Sequence, residues 1–265
     1  MRRVKIFAKG DVDVFDSLHS SRSGGELRWN GINEALRSTH PGALVRLLHE
    51  TGSPSQVLLA SNGAVPPGLE RVEAMLGPHT LPSQFATRLY DTDADAIVLS
   101  ILPDVVLSRM RHRDHGFLFH AAESRSWPAA EREWLRREFI DLGVQSPDES
   151  IASLEGVVGR IRAHGDRPIL IYNVSPAIPG EDVHSFAGLD ETFGTRVRRF
   201  NLALVELSMR TGVSIIDVDR VVARGGADRL KLDAYHLTAE GYRLVAEETV
   251  RVLADLGVLA WESAA

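Results

Sequence analysis

The chain has 265 residues, 44% of them hydrophobic, a formal net charge of -6 and no cysteine. That length suffices for one large domain with a sizeable core, and the lack of cysteine excludes disulfides, thiolate nucleophiles and Cys-based metal sites. No basic stripe or aromatic-basic interleaving points to nucleic acid or an anionic membrane surface, and no apolar run approaches the length of a bilayer span.

The N-terminal stretch is basic but carries no apolar core of the signal-peptide kind, so a cytoplasmic protein is expected. A first strand is predicted over residues 4–8. Helical stretches follow over 31–38 and 41–50, then a second strand over 56–60 and a helix over 69–76. The aliphatic run 96–101 reads as a third strand. Residues 110–126 carry the least regular pattern and read as a loop or lid. Helices are predicted over 128–142 and 148–164, the second opened by Ser146 as N-cap, Pro147 at the first helical position and Glu149 at the third. Residues 168–172 form a fourth strand, 193–210 a helix, 213–217 a fifth strand, and 238–256 a closing helix with Thr238 as N-cap.

Short, mostly aliphatic runs alternating with longer amphipathic stretches indicate an α/β protein, with a parallel sheet buried under helices on both faces. No repeat, low-complexity tract or linker divides the chain, so residues 1–265 read as one domain. In such sheets ligands bind beyond the carboxyl ends of the strands. Candidate chemistry is therefore sought just after each apolar run.

The most informative segment is Leu232-Asp233-Ala-Tyr-His236-Leu-Thr-Ala-Glu-Gly241. An Asp-x-x-His spacing before a helix lets the carboxylate reach the imidazole Nδ1–H, which sets the tautomer and stabilises the imidazolium. This block resembles the last motif of the SGNH (GDSL-type) hydrolases. The resemblance implies a three-layer α/β/α sandwich around a mostly parallel five-stranded sheet, with His236 as base and Asp233 as its orienting acid. It also implies a serine nucleophile in a Gly-Asp-Ser-Leu motif after the first strand. Two segments compete for that place. Gly10-Asp11-Val12 follows the run directly but has valine where serine is expected, and Phe15-Asp16-Ser17-Leu18 keeps Asp-Ser-Leu but has phenylalanine in place of glycine. Ser17 is the favoured candidate because an Asp-Ser-Leu stands at the expected end of the chain, and His236 would supply the base that a serine nucleophile needs.

The resemblance places an oxyanion glycine after the second strand, where Asn62-Gly63 stands, and an asparagine after the third, where Pro103 stands and has no N–H to give. Asn62 and Asn173 are the substitutes considered first, with Asn30 and Asn33 behind them. Asp16, Asp13 and His19 lie near the nucleophile segment. Asp217 and Asp219 follow the fifth strand, and Asp182 and His184 the fourth. The His112-Arg-Asp114-His115 stretch, with His120 beyond, lacks a compact zinc signature and sits among arginines. No metal or cofactor is expected. The reading is a serine hydrolase that cleaves an O-acyl ester of a small polar molecule or sugar through Ser17, His236 and Asp233. The alternative is a repurposed or catalytically degenerate member of the same fold that binds a ligand or transfers acyl groups.

Overall fold

The structure is a computed structural model that describes residues 2–23, 26–77, 79–180 and 191–260, and the side chains of 20–30 lie outside the description. Asp182 and His184 therefore fall outside the described residues. So do the side chains of Ser20, Ser21, Ser23 and Asn30.

The strands in chain order are β1 (Arg2–Gly10), β2 (Ser20–Ser23), β3 (Glu26–Asn30), β4 (Ala43–Thr51), β5 (Ala96–Ser100), β6 (Ser108–His112), β7 (Leu118–Phe119), β8 (Phe139–Val144), β9 (Ile169–Tyr172) and β10 (Ser214–Ile216). The helices are α1 (Val12–Leu18), α2 (Ile32–Thr39), α3 (Ser55–Ala60), α4 (Glu73–Leu76), α5 (Thr80–Phe85), α6 (Arg88–Asp91), α7 (Leu102–Val106), α8 (Ala129–Glu138), α9 (Pro147–Arg162), α10 (Phe193–Thr211), α11 (Val218–Gly225), α12 (Ala227–Leu230) and α13 (Ala239–Asp255).

Five strands form one sheet in the order β10-β9-β5-β1-β4, and every neighbouring pair runs parallel. Side chains alternate across it with the period of two that a pleated strand imposes. Val4, Ile6, Ala8, Val98 and Tyr172 face α1, α2 and α13 on one side. Phe7, Ile97, Leu99, Ile169 and Ile171 face α9 and α10 on the other. The result is the three-layer α/β/α arrangement, with all five sheet strands parallel.

Two predicted elements are exchanged in type. Residues 41–50 are not helical: most of them belong to the edge strand β4, nine residues paired with β1. The run at 56–60 is not a strand but α3. Leucine, arginine and glutamate in 43–51 favour a helix locally, but the open edge of β1 offers a ladder of hydrogen bonds that overrides this preference. The run Gln56–Ala60 is too short for periodicity to separate a buried strand from a buried helix. Its helix starts where the Ser55 N–H donates to the buried carboxylate of Asp104 at 2.5 Å. It then packs on α9 so tightly that a Cβ on Gly156 would lie 2.9 Å from Leu59.

The segment read as a loop or lid is also ordered. β6, β7 and β8 form a three-stranded antiparallel sheet. Phe119, Phe139, Trp127 and Leu135 join Leu76, Leu81 and Phe85 in a satellite core beside the main sheet. Buried Arg109 fastens this sheet: it donates to Gln56 Oε1 at 2.7 Å and lies 3.5 Å from Glu149. The helix opened by Ser146 is found as α9, with the reciprocal Ser146–Glu149 capping box in place.

Two glycines separate packing from propensity. A Cβ at Gly241 would lie 2.4 Å from the Leu230 carbonyl oxygen and 3.0 Å from Leu237 Cβ, whereas one at Gly159 meets nothing within 4 Å. Gly241→Ala is expected to destabilise by about 1–3 kcal/mol through overpacking. Gly159→Ala, inside α9, is expected to stabilise by about 0.5–1 kcal/mol. Urea unfolding of both variants measures the two effects.

Candidate active site

The carboxyl ends of the sheet strands bring together Gly10-Asp11, Thr51-Gly52, Ser100-Ile101, Tyr172-Asn173 and Ile216-Asp217. Over them lies the loop between α12 and α13. Its base is closed by a bridge between Lys231 and Leu237, by Leu232 N–H to His236 O at 2.9 Å, and by Thr238 N–H to Leu230 O at 2.9 Å.

Within this loop Asp233 Oδ1 accepts the backbone N–H groups of Tyr235 and His236, each at 2.8 Å, and Oδ2 lies 2.8 Å from His236 Nδ1. Such an Asx turn is what aspartate forms readily with the backbone two and three residues on. Burial alone would raise the Asp233 pKa, but the two N–H groups and the imidazole outweigh it and hold the carboxyl below its ordinary value. An ionised carboxylate only accepts, so the network assigns the proton to Nδ1 and leaves Nε2 as a base. The imidazole is 44% exposed and the carboxylate 53%, so the pair faces solvent.

Ser17 stands elsewhere. It lies in the last turn of α1 with 0% exposure. Its hydroxyl donates to Val14 O at 3.1 Å and lies 3.2 Å from the Tyr172 hydroxyl. Tyr172 OH in turn pairs with Thr249 Oγ1 at 2.7 Å. Thr249 is ten residues beyond the start of α13, about 15 Å along the axis at 1.5 Å per residue, while His236 precedes that helix. Ser17 thus sits deep between α1, β9 and α13, away from the imidazole. The residue that directly follows Gly10-Asp11 at the end of β1 is Val12, the first residue of α1.

The other candidates are accounted for by local bonding. Asn62 and Gly63 follow α3 rather than a strand: Asn62 Oδ1 accepts the Ala64 N–H at 3.1 Å, and Gly63 donates to Phe85 O at 2.9 Å. The glycine that does follow the second strand of the main sheet in sequence is Gly52, concealed by the helix-like pattern of 41–50. A Cβ there would meet Pro103, the Asp11 N and the Gly10 C at 3.0–3.1 Å, so this glycine lets three elements converge. Its N–H donates to Gly10 O at 3.1 Å. Asn173 is committed on both ends of its amide, to Asp217 Oδ1 at 2.8 Å and from the Asp219 N–H at 3.1 Å. Asp16 lies along the α1–α13 packing, near the buried Tyr242 hydroxyl; burial and this carboxylate both raise the pKa of that phenol. Asn33 binds both backbone groups of Val45, and His19 stacks on Phe15 at 4.6 Å. Among the described residues no three His, Asp or Glu side chains converge as metal ligands. The His112 Nδ1 accepts the N–H groups of Asp114 and His115, while His120 pairs with Ser108 O at 2.8 Å.

Lys231 has no motif to announce it, whereas Asp13 lies in the segment expected to carry the nucleophile. Lys231 is 4% exposed and Asp13 is 7% exposed. Both line a cavity of about 20 Å³ beneath the loop, together with Asn173, Ser175 and Tyr235, room for one water molecule. Asp13 Oδ2 accepts the Ser100 hydroxyl, and its Oδ1 is buried with no protein partner. Burial pushes the Asp13 carboxyl up to about 6.

No protein-family model matches the chain, and no curated protein matches it in sequence. Solved structures do. An acetylxylan esterase from Geobacillus stearothermophilus superposes at a TM-score of 0.50 with 12% identity, covering 98% of this chain and 95% of that one. An alpha/beta hydrolase enzyme from the metagenome of Lake Arreo superposes at 0.50 with 14% identity and 97% coverage of both chains. At such identities the likeness concerns architecture: the chain has the fold of the SGNH hydrolases.

The raised Asp13 pKa sets a pH dependence. Below about pH 4 the carboxyl is protonated in both folded and unfolded chains and has no effect on stability. Between pH 4 and 6 the unfolded chain ionises first, so stability falls as pH rises, and the full penalty is present above about pH 6. Asp13→Asn is therefore expected to stabilise at pH 7 by about 1–3 kcal/mol, with the gain vanishing near pH 4. Urea unfolding at the two pH values checks this.

Proposed function

We propose that this chain is an esterase-type enzyme of the SGNH fold in which Asp233 and His236 form a base dyad that activates water, or an acceptor hydroxyl, directly. The observation that carries the reading is the carboxylate of Asp233 held by two backbone N–H groups while it fixes His236 Nδ1 at 2.8 Å. His236 Nε2 takes a proton from water as the oxygen attacks the acyl carbonyl. The tetrahedral intermediate then collapses, the proton passes to the departing alkoxide, and acid and alcohol are released. Asp233 remains anionic and stabilises the imidazolium. With an alcohol in place of water the same steps transfer the acyl group.

A Ser17–His236–Asp233 triad is not adopted, because Ser17 Oγ is tied into the core beside Tyr172, and exposing it would require the end of α1 to unwind. The acetylxylan esterase among the structural neighbours makes O-acetylated sugars the first substrates to screen, beside 4-nitrophenyl acetate.

The test combines turnover with active-serine labelling. His236→Ala is expected to abolish hydrolysis. Asp233→Asn should lower kcat by about 10²–10⁴-fold, and Ser17→Ala should leave kcat within about twofold if the variant folds. A fluorophosphonate should leave the intact mass unchanged. A stoichiometric adduct on Ser17, lost in His236→Ala, would instead establish the serine triad. Absence of turnover across an ester panel with well-folded protein would favour a repurposed ligand-binding site.

A further inference from the structure

Only three of the chain's 30 Lys and Arg residues are lysine, and one of them is buried directly beneath the dyad loop. Lys231 Nζ donates to Ser175 O at 3.1 Å, to Ala177 O at 2.5 Å and to Ala234 O at 3.0 Å. The first two carbonyls belong to the segment after β9. The third lies inside the loop, between Asp233 and His236. An ammonium has three N–H donors, and here each meets a carbonyl. The planar fork of arginine cannot direct its donors to three convergent oxygens around a point, which accounts for lysine here in a chain whose basic residues are mostly arginine.

We propose that Lys231 is a positioning residue: its ammonium latches the loop carrying Asp233 and His236 to the segment after β9 and so holds the pair in place. This rests on the dyad reading for its catalytic consequence but not for the latch itself. The Asp233 hydrogen bonds close the loop onto itself, and the bridge to Leu237 closes its base. The Lys231 ammonium joins the middle of the loop to the neighbouring strand end. The charged groups facing it are Asp233 within the loop, Asp219, which accepts the Ser175 hydroxyl at 3.2 Å, and Asp13 across the small cavity. Burial brings the ammonium down to about 8, against the pull of Asp233 and Asp219. Above that pH the amine has two N–H groups for three carbonyls, so the latch is whole below about pH 8 and weakens as pH rises through it.

The experiment reads amide hydrogen exchange at Tyr235 and His236, whose N–H groups end on Asp233, together with kcat and KM for 4-nitrophenyl acetate from pH 6 to 9.5. In the wild-type chain, protection corrected for intrinsic exchange is expected to fall several-fold as pH passes 8, while amides of β1 and β5 stay protected. In Lys231→Met both loop amides should exchange at least tenfold faster at pH 7. The kcat should drop about 10–100-fold with KM within twofold, and the alkaline limb near pH 8 should disappear. Lys231→Arg should not restore kcat. Unchanged loop protection across wild-type pH 6–9.5 overturns the latch without any variant, should Lys231→Met fail to fold. Loss of protection with undiminished kcat overturns the positioning role. Loss of protection in a chain that turns over no ester leaves the latch standing and removes the hydrolase reading instead.

Discussion

The carboxyl end of the sheet is organised by the place where β1 stops. β1 sits between β4 and β5 in the sheet, paired with both, so its end is fixed by hydrogen bonds on either side. It ends at Gly10, and α1 folds back at once: a Cβ on residue 10 would lie 2.5 Å from Val14 Cγ2. With α1 begun at Val12, Ser17 necessarily falls in its last turn and faces the core. Asp11 stands at the N-cap of the helix, and Val12 is its first residue. Where the strand ends therefore decides which side chains of α1 enter the core, and it leaves Val12 half-buried at the start of the helix.

The same end of the sheet concentrates buried polar groups. Lys9 is held by Glu50 at 2.9 Å and by the Ser83 carbonyl at 2.6 Å. Asp104 is held by Ser55 and Ser150, Asn173 by Asp217 and Asp219, and Lys231 by three carbonyls. Each of these four groups has the partners that burial demands. They tie neighbouring strand ends to one another in a region where the backbone turns away from the regular ladder. Asp13 departs from this pattern, with one oxygen lacking a protein partner and a small cavity beside it. A water molecule there would satisfy it.

Much of the framework was legible in the residues. β1, β5, β9 and β10 coincide with aliphatic runs, since strands covered on both faces must be apolar throughout. α9 and α13 coincide with strong caps, Ser146 and Thr238, whose hydroxyls accept the N–H groups of Glu149 and Gly241. The exchange between β4 and α3 was not legible. An edge strand leaves one edge in solvent, so β4 tolerates exposed Arg46, and it carries Glu50 because that carboxylate pairs with buried Lys9; the pattern imitates a helix. α3 is so short and so buried that its pattern imitates a strand. The antiparallel β6–β8 sheet was hidden because it gains its apolar cover from α4 and α5, elements distant in sequence.

The sequence by itself determined the α/β class, the strands at the heart of the sheet and the Asp233–His236 pair. Each depends on neighbours along the chain: hydrophobic runs, capping hydroxyls, and an aspartate reaching backbone groups two and three residues on. Only the tertiary structure decided which glycine meets the end of β1, where Ser17 points, and what Lys231 does. Those depend on contacts between segments far apart in sequence. Ser17 reaches Tyr172, Gly52 meets Gly10 and Lys231 reaches Ser175, and no local pattern encodes a partner at that distance.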